Sequence, residues 1–168
     1  ATGTGSGKTE CFMYPILEHC AQQQSQGIKA IIVYPMNALA QDQARRFAEE
    51  ISQRDELKDN IRVGLFTGDS ESTRHKSMSE DSVITCKVTQ RENPPDILLT
   101  NYKMLDYLLI RPRDRDLWRF NQPGDLRFLI VDELHTFDGA QGTDLACLIR
   151  RLRDRLDVGP ELACVGTS

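Results

Sequence analysis

Short apolar runs recur along the chain, and most of them are continuous rather than alternating with polar residues. Five such runs cover residues 28–34, 61–66, 96–100, 127–131 and 162–165. Continuous apolar runs of this length are typical of parallel strands that are buried on both faces. Helical patterns separate them, at residues 8 to about 24, 38–52, 102–110 and 143–156. This alternation predicts an α/β fold with a doubly wound, mostly parallel sheet and right-handed crossovers.

Two polar stretches and one proline interrupt the alternation. Residues 70–95 are rich in Ser and Thr, which predicts a long surface connection, and residues 111–124 predict a solvated loop around Trp118. Pro15 falls inside the first predicted helix. We expect it to kink or interrupt that helix, because its ring clashes with the preceding turn.

Composition restricts the class of protein. A length of 168 residues suits a single globular domain, and no apolar run approaches the length that a membrane span requires. With 21 basic and 25 acidic residues, the chain is not a polybasic binder. The five cysteines form no C-x-x-C pair, and we expect buried, reduced thiols, as for Cys147 and Cys164 within apolar runs.

A glycine-rich segment opens the first predicted helix. It consists of Thr4, Gly5, Ser6, Gly7, Lys8 and Thr9. In a phosphate-binding loop the backbone N–H groups surround phosphate oxygens, the lysine reaches the β- and γ-phosphates, and the hydroxyl binds magnesium. Lys8 and Thr9 fit these two roles, although Thr2 stands where the strict pattern has glycine. A chance glycine-rich turn is the alternative.

A pair of acids follows the fourth apolar run. Asp132 and Glu133 come directly after residues 127–131, at the edge where a parallel sheet presents its ligands. Asp132 can hold magnesium, and Glu133 can orient and deprotonate the water that attacks a γ-phosphate. The alternative is an ordinary pair of acids at a strand end. Together with the glycine-rich segment, the pair predicts binding and hydrolysis of a nucleoside triphosphate with Mg²⁺.

Six blocks along the chain resemble the motifs of superfamily 2 helicases of the DEAD/DEAH-box group, in the order of that family. They are residues 1–9 (motif I), 34–43 (YPMNALAQDQ, motif Ia), 67–69 (TGD), 99–105 (LTNYKML, motif Ib), 132–135 (DELH, motif II) and 166–168 (GTS, the opening of motif III). Leu134 and Tyr102 depart from the usual residues. The ALAQDQ block and the residues after Asp138 are similar to large bacterial DNA helicases of the YprA-like branch.

The resemblance implies a binding surface for the sugar–phosphate backbone of a nucleic acid, with DNA favoured over RNA. Its residues would be Pro35, Met36, Asn37, Thr67, Gly68, Thr100 and Asn101. Alternatively, Asn37 and Thr100 simply cap helices. The resemblance also implies that His135 and Ser168 link the nucleotide site to the nucleic-acid side, although His135 could instead be a buried structural histidine.

The resemblance further implies a division of the protein into domains. Residues 1–168 would be the ATP-binding first RecA-like domain, from motif I to the start of motif III, without the strand that precedes the phosphate loop. A second RecA-like domain of the same parent chain would supply arginines across the cleft. We therefore expect the isolated segment to hydrolyse ATP weakly or not at all.

Two classes of function follow from these residues. The first is an ATP-driven helicase or translocase of the bacterial cytosol or nucleoid, without membrane contact. The second is an ATP-dependent clamp, switch or scaffold that holds nucleic acid without unwinding it. A P-loop kinase is a weaker third reading, because the adjacent acids suit a water nucleophile.

Overall fold

The chain forms a five-stranded sheet in which all of the strands are parallel. The structure is a computed structural model that describes residues 7–68 and 75–168. Its strands are β1 (Ala30–Tyr34), β2 (Val63–Phe66), β3 (Ile97–Asn101), β4 (Phe128–Val131) and β5 (Ala163–Gly166). Their order across the sheet is β2-β3-β1-β4-β5. The predicted doubly wound α/β fold is therefore confirmed, with each strand within two residues of its predicted limits.

Helices connect the strands and cover the sheet. They are α1 (Lys8–Gln22), α2 (Asn37–Ser52), α3 (Asp55–Lys58), α4 (Lys87–Glu92), α5 (Tyr102–Ile110) and α6 (Gly139–Leu156), with 3₁₀ helices at Pro112–Trp118 and Leu134–Thr136. Helix α1 continues past Pro15 without the expected interruption. The carbonyl that loses its hydrogen bond belongs to Cys11, an exposed residue one turn earlier, so water can replace the missing donor.

Alternate residues of the central strands point into two separate cores. Ala30, Ile32 and Tyr34 of β1 pack with α1, α2 and α3, whereas Ile31 and Val33 pack with α5, the 3₁₀ helix Pro112–Trp118 and α6. The strands β1, β2 and β3 are buried along nearly their whole length, which explains their continuous apolar sequences. β5 differs, because all four of its residues are exposed.

The predicted surface connection at 70–95 is partly structural. Within its described part, Val83 and Ile84 are buried, and Ile84 forms an isolated bridge with Gly64 beside β2. Gln90 of α4 is fully buried and donates from Nε2 to Leu65 O (3.1 Å) and Ile84 O (3.0 Å). This segment therefore covers the edge of the sheet at β2. The polar composition of the segment did not indicate this structural role.

The predicted solvated loop at 111–124 is also wrong in its central part. Residues Pro112–Trp118 form a 3₁₀ helix, and Trp118 is 5% exposed. The indole Nε1 of Trp118 donates to Leu108 O at 2.9 Å, which ties this helix to α5. Burial of the ring outweighs the polar composition of this segment, and its buried carboxylate, Asp114, is paired with Arg91 (2.7 Å).

The cysteines fall into two groups. All five lie in the described part of the chain, and none of them is in a disulfide. Cys20 and Cys86 are buried as expected, and burial raises the pKa of the Cys20 thiol to about 12. Cys11, Cys147 and Cys164 are exposed, contrary to expectation, because Cys11 and Cys147 lie on the outer faces of α1 and α6 and Cys164 lies in the exposed strand β5. None of the described helices is long and apolar enough to cross a membrane.

Replacing Gly64 with alanine is expected to destabilise the fold by about 1–3 kcal/mol. A Cβ atom at Gly64 would lie 2.4 Å from Gln90 Oε1 and 2.8 Å from Pro95 Cγ. Gln90 cannot easily move, because both of its amide hydrogen bonds hold it against β2. Urea denaturation of the chain, followed through the fluorescence of its single tryptophan, Trp118, measures the effect. The control is Gly159→Ala, where a Cβ meets nothing within 4 Å; equal midpoints for both variants would contradict the prediction.

Candidate nucleotide and nucleic-acid site

The acid pair lies at the carboxyl end of β4, in the middle of the sheet. Asp132 N donates to Val33 O at 2.9 Å, so the neighbouring strand β1 holds its backbone. Glu133 has φ 51° and ψ 46°, in the left-handed region that residues other than glycine seldom adopt. Backbone strain of this kind occurs preferentially at functional sites, where the surrounding structure maintains it.

Thr167 holds the Asp132 carboxylate from the adjacent strand. Its Oγ1 donates to Asp132 Oδ1, which also accepts a hydrogen bond from Glu133 N at 3.0 Å. The backbones join as well, since Leu134 N donates to Thr167 O (2.7 Å) and Thr167 N donates to Val131 O (3.0 Å). Residues 132–134 and 166–168 thus form one unit. Sequence reasoning did not assign Thr167 to the site, although the two motifs follow strands that end side by side.

Glu133 and His135 contact each other at the surface. His135 Nδ1 lies 3.3 Å from Glu133 Oε2, and the two side chains are 61% and 29% exposed. The alternative of a buried structural histidine is therefore wrong. Ser168 is exposed and follows Thr167 directly. The linking roles of His135 and Ser168 stay predictions.

The described part of the glycine-rich segment begins at Gly7. Thr4, Gly5 and Ser6 lie outside the described residues, as does the side chain of Lys8. Gly7 precedes α1 with φ 74°, a left-handed conformation that glycine adopts without penalty. Thr9 follows in the first turn of α1 and is 8% exposed. The end of the predicted phosphate loop is therefore the start of a helix, as the sequence indicates.

Arg46 of α2 reaches the same helix start. Its Nη1 donates to Thr9 Oγ1 at 3.3 Å, and its Nη2 forms an ion pair with Glu10 Oε1. Sequence reasoning missed this residue, because Arg46 is one of two adjacent arginines on an amphipathic helix. Nothing in that pattern distinguishes it from a solvated surface arginine.

Six buried side-chain polar atoms have no hydrogen-bond partner among the described residues, and three of them belong to α1, β1 and α2: Glu10 Oε2, Tyr34 Oη and Gln43 Oε1. Tyr34 is fully buried at the end of β1. Burial, and secondarily the negative charge of Asp132, raise the pKa of Tyr34 well above its usual value, while the charge of Arg46 acts in the opposite direction. Tyr34 is thus a protonated donor close to both charges. Unpaired buried groups at one place are typical of a site that a ligand or ordered water completes.

This donor set fits the magnesium and nucleotide that the sequence predicts. Thr9 supplies a hydroxyl oxygen and Asp132 a carboxylate oxygen, and Mg²⁺ is usually held by one or two such groups, waters and substrate phosphates. No group of three or more His, Cys, Asp and Glu side chains within residues 7–68 and 75–168 could hold a metal ion. These described residues therefore form no metal cage of their own. Thr9 and Asp132 instead suit a metal ion that is also coordinated by phosphate oxygens.

The predicted nucleic-acid residues lie together at the carboxyl ends of three neighbouring strands. Pro35, Met36 and Asn37 follow β1, Thr67 and Gly68 follow β2, and Thr100 and Asn101 end β3. Met36 is 63% exposed, and Gly68 is exposed as well. The sheet therefore brings these loops to the same edge as the acid pair.

A hydrogen bond joins two of these loops directly. Asn101 Nδ2 donates to Asn37 Oδ1 at 2.6 Å, and Asn101 Oδ1 accepts a hydrogen bond from Met104 N at 2.8 Å. Asn101 is thus the N-cap of α5. Asn37 is not a cap, because it is already the first residue of α2. Thr100 is not a cap either, because the cap of α5 is its neighbour Asn101.

Thr100 and Thr67 are buried in this structure, and their predicted contacts with a nucleic acid stay predictions. Thr100 is fully buried, and its hydroxyl donates to Phe66 O at 2.7 Å, while Thr67 is 8% exposed. The role of Thr100 in this structure is to hold the end of β2 beside β3.

Replacing Gly166 with alanine is expected to disturb the acid pair. A Cβ atom there would lie 2.4 Å from Leu134 Cδ2, so either Leu134 moves or β5 shifts together with Thr167. For the ATP hydrolysis that the sequence predicts of the parent protein, we expect the rate to fall by about tenfold, since a displacement near 1 Å can cost ~10²-fold. Leu134→Ala in the same protein removes the clash and should restore most of the rate. A double variant as slow as Gly166→Ala alone would contradict this explanation.

Comparison with known proteins identifies one family along the whole chain. The family described as "DEAD/DEAH box helicase" matches residues 1–168. The ATP-dependent helicase YprA of Bacillus subtilis is 32% identical over 152 residues, which cover 90% of this chain and 18% of YprA. The chain thus spans less than a fifth of that relative.

Two solved helicase structures share the fold. The DUF1998 helicase MrfA is 28% identical with a TM-score of 0.72, covering 100% of this chain and 23% of that one. The helicase Lhr of Mycobacterium smegmatis, bound to ssDNA and AMP-PNP, is 26% identical with a TM-score of 0.68. The match to Lhr covers 99% of this chain and 20% of Lhr.

Proposed function

Because the chain belongs to the DEAD/DEAH box helicase family, we propose that it is the ATP-binding first RecA-like domain of a DNA helicase or translocase. In this proposal, ATP hydrolysis is coupled to strand movement or unwinding. The observation that supports it best is the unit of Asp132, Glu133 and Thr167, because it fixes one carboxylate and leaves another partly exposed beside it. ATP and Mg²⁺ are the cofactors.

Each residue of the nucleotide site has a separate role in this proposal. Residues 4–9 surround the phosphates, with Lys8 toward the β- and γ-phosphates. Thr9 and Asp132 hold the metal ion, which neutralises phosphate charge when bound. Glu133 orients the attacking water and takes its proton on the carboxylate. Thr167 keeps the Asp132 carboxylate in place through Oδ1.

The strand-binding surface is proposed at the loops after β1, β2 and β3. Met36 and Gly68 offer exposed loop backbone, and the Asn37–Asn101 pair holds two of the loops together. Loop N–H groups and amide side chains suit phosphate oxygens and do not read base sequence. We favour DNA as the partner because the similar helicase Lhr is described with ssDNA.

The remaining parts of the proposal concern the full-length protein. A second RecA-like domain of the same chain would close over the nucleotide and supply arginines, which can contribute ~10³–10⁵ in rate. Residues 1–168 alone should therefore hydrolyse ATP weakly or not at all. The proposed place of action is the bacterial cytosol or nucleoid, where both ATP and DNA are present.

The test is ATP hydrolysis by the full-length protein in four parallel reactions. They contain no polymer, single-stranded DNA, duplex DNA and RNA. Strong stimulation by single-stranded DNA supports a DNA motor, and strand displacement then separates a helicase from a translocase. Equal rates in all four reactions would favour an ATP-dependent clamp or switch, and would remove the loops after β1, β2 and β3 from the proposed surface.

A further inference from the structure

We propose that Arg46 couples the nucleotide site to the nucleic-acid surface through helix α2. This inference rests on the proposed function and assigns to it a residue outside the predicted motif positions of the site. Arg46 contacts the candidate magnesium ligand, and the same helix begins at Asn37 on the candidate strand surface. Arg46 acts as a positioning residue, through Thr9 and through the helix that carries it.

The guanidinium of Arg46 joins two helices at the phosphate site. It donates from Nη1 to Thr9 Oγ1 (3.3 Å) and pairs through Nη2 with Glu10 Oε1. The planar fork of the guanidinium places one nitrogen on each partner, a fixed geometry that the single nitrogen of a lysine does not offer. The start of α1, which carries the candidate phosphate loop, is thereby attached to the middle of α2.

Binding of a metal ion by Thr9 would change this arrangement. A magnesium ion bound to the Thr9 hydroxyl would lie close to the guanidinium, and two positive charges at short range repel each other in a partly buried site. The charges of both Arg46 and Asp132 act on Tyr34, which supports this proximity. We therefore infer that Arg46 leaves Thr9 when nucleotide and metal bind.

A second acceptor for Arg46 is already present on α2. Gln43 lies three residues earlier, on the same side of the helix, and is 8% exposed. Its Oε1 is buried and has no hydrogen-bond partner in the described part of the chain, and the same is true of Glu10 Oε2. A guanidinium that leaves Thr9 can therefore pair with one of these oxygens or with a phosphate oxygen. When Arg46 pairs with Thr9, its hydrogen bond joins α2 to the start of α1. When it pairs with another acceptor, that hydrogen bond between the two helices is lost.

Helix α2 can carry this difference to the strand surface as a rigid unit. Its inner face is buried at Ala40, Ala44, Phe47, Ala48 and Ile51. Arg46 lies nine residues after Asn37, or about 13 Å along the helix axis. Asn37 accepts the 2.6 Å hydrogen bond from Asn101, the N-cap of α5. A small rotation or shift of α2 therefore alters the bond that joins two loops of the candidate strand surface.

The experiment measures binding rather than turnover, in the full-length protein. The Kd of a fluorescent single-stranded DNA oligonucleotide is determined by anisotropy, with and without saturating Mg²⁺ and AMP-PNP. The ratio of the two Kd values is the coupling factor, which we expect to be about tenfold in the wild type, within the usual range for coupled sites. Arg46→Ala should bring this factor to within about twofold of unity.

Arg45→Ala is the matched control, because Arg45 is the exposed neighbour of Arg46 on the same helix and its loss changes the net charge equally. We expect the control to keep the wild-type coupling factor. Arg46→Lys is the second variant: it keeps the charge and the helix propensity but not the fork, and should lower the factor at least threefold. It decides the question if thermal melting shows that Arg46→Ala is unfolded.

The outcomes separate this inference from the proposed function. A wild-type protein that binds neither AMP-PNP nor DNA contradicts both. A wild-type protein that binds both, with a coupling factor that is near unity or that persists in the Arg46 variants, overturns the role of Arg46 alone. Loss of the factor in the Arg46 variants, together with its retention in Arg45→Ala, supports the role of Arg46.

Discussion

Replacing Glu133 with glutamine is expected to lower the rate of ATP hydrolysis by about 10²–10⁴-fold, the usual contribution of a general base. Binding of Mg²⁺ and ATP should change little. An amide has the size of the carboxylate and can still contact His135 Nδ1, which lies 3.3 Å from Glu133 Oε2 in the structure. It cannot take a proton from water at neutral pH. The measurement is steady-state hydrolysis by the full-length protein, with nucleotide affinity determined separately by fluorescence.

Two further variants distinguish loss of the base from other causes. Lys8→Ala should weaken nucleotide binding itself, because it removes the positive charge that the proposal assigns to the β- and γ-phosphates. Glu56→Gln changes an exposed glutamate of α3 in the same way as Glu133→Gln and should keep the wild-type rate. Most of the wild-type rate in Glu133→Gln would show that another group deprotonates the attacking water.

The centre of the sheet was predictable because β1, β2 and β3 are buried on both faces. A continuous apolar run such as Ile31-Ile32-Val33 has few stable environments other than the middle of a parallel sheet. Asp132 and Glu133 could then be placed at the carboxyl edge, since they directly follow a run of this kind. The pattern did not indicate which single residues of the polar segments are buried. Trp118 and Gln90 are buried among charged neighbours, and no period in the sequence indicates this.

Contacts between elements far apart in sequence account for the other differences. Thr167 meets Asp132 only because β5 pairs with β4, and Arg46 meets Thr9 only because α2 packs beside α1. Local patterns carry no information on which residue of a polar helix face reaches a neighbouring helix. Thr100 illustrates the reverse case, because its hydroxyl satisfies Phe66 O within the sheet. A threonine at this position suggested a contact with a nucleic-acid phosphate. In the structure, the Thr100 hydroxyl instead donates to Phe66 O of the neighbouring strand β2.

The second large effect is expected at the opposite edge of the sheet, where Lys29 is buried within an apolar run. Lys29 is 1% exposed, and its Nζ contacts Asp96 Oδ1 at 2.6 Å and donates to the carbonyl oxygens of Ser25 and Gly27. Asp96 Oδ2 accepts a hydrogen bond from Arg62 N at 2.8 Å. These three residues precede β1, β3 and β2, so one ion pair holds the amino ends of three adjacent strands.

Lys29→Met is therefore expected to destabilise the chain by about 3–5 kcal/mol, because removing one partner leaves a largely buried charge unpaired. Methionine has a similar length, so lost packing is a small part of the effect. Urea denaturation followed through Trp118 gives the free energy of unfolding. Lys58→Met is the matched control: Lys58 lies 3.4 Å from Asp55, both side chains are exposed, and the loss should stay below about 1 kcal/mol.

Asp96→Asn in the Lys29→Met background tests the cause of the expected loss. The amide removes the unpaired charge of residue 96 while its oxygen can still accept the hydrogen bond from Arg62 N. If the buried charge is the main cost, the double variant should be more stable than Lys29→Met alone. If the carbonyl oxygens of Ser25 and Gly27 carry the cost instead, the double variant should be no more stable. Equal unfolding free energies for Lys29→Met and Lys58→Met would show that the ion pair does not hold the strands together.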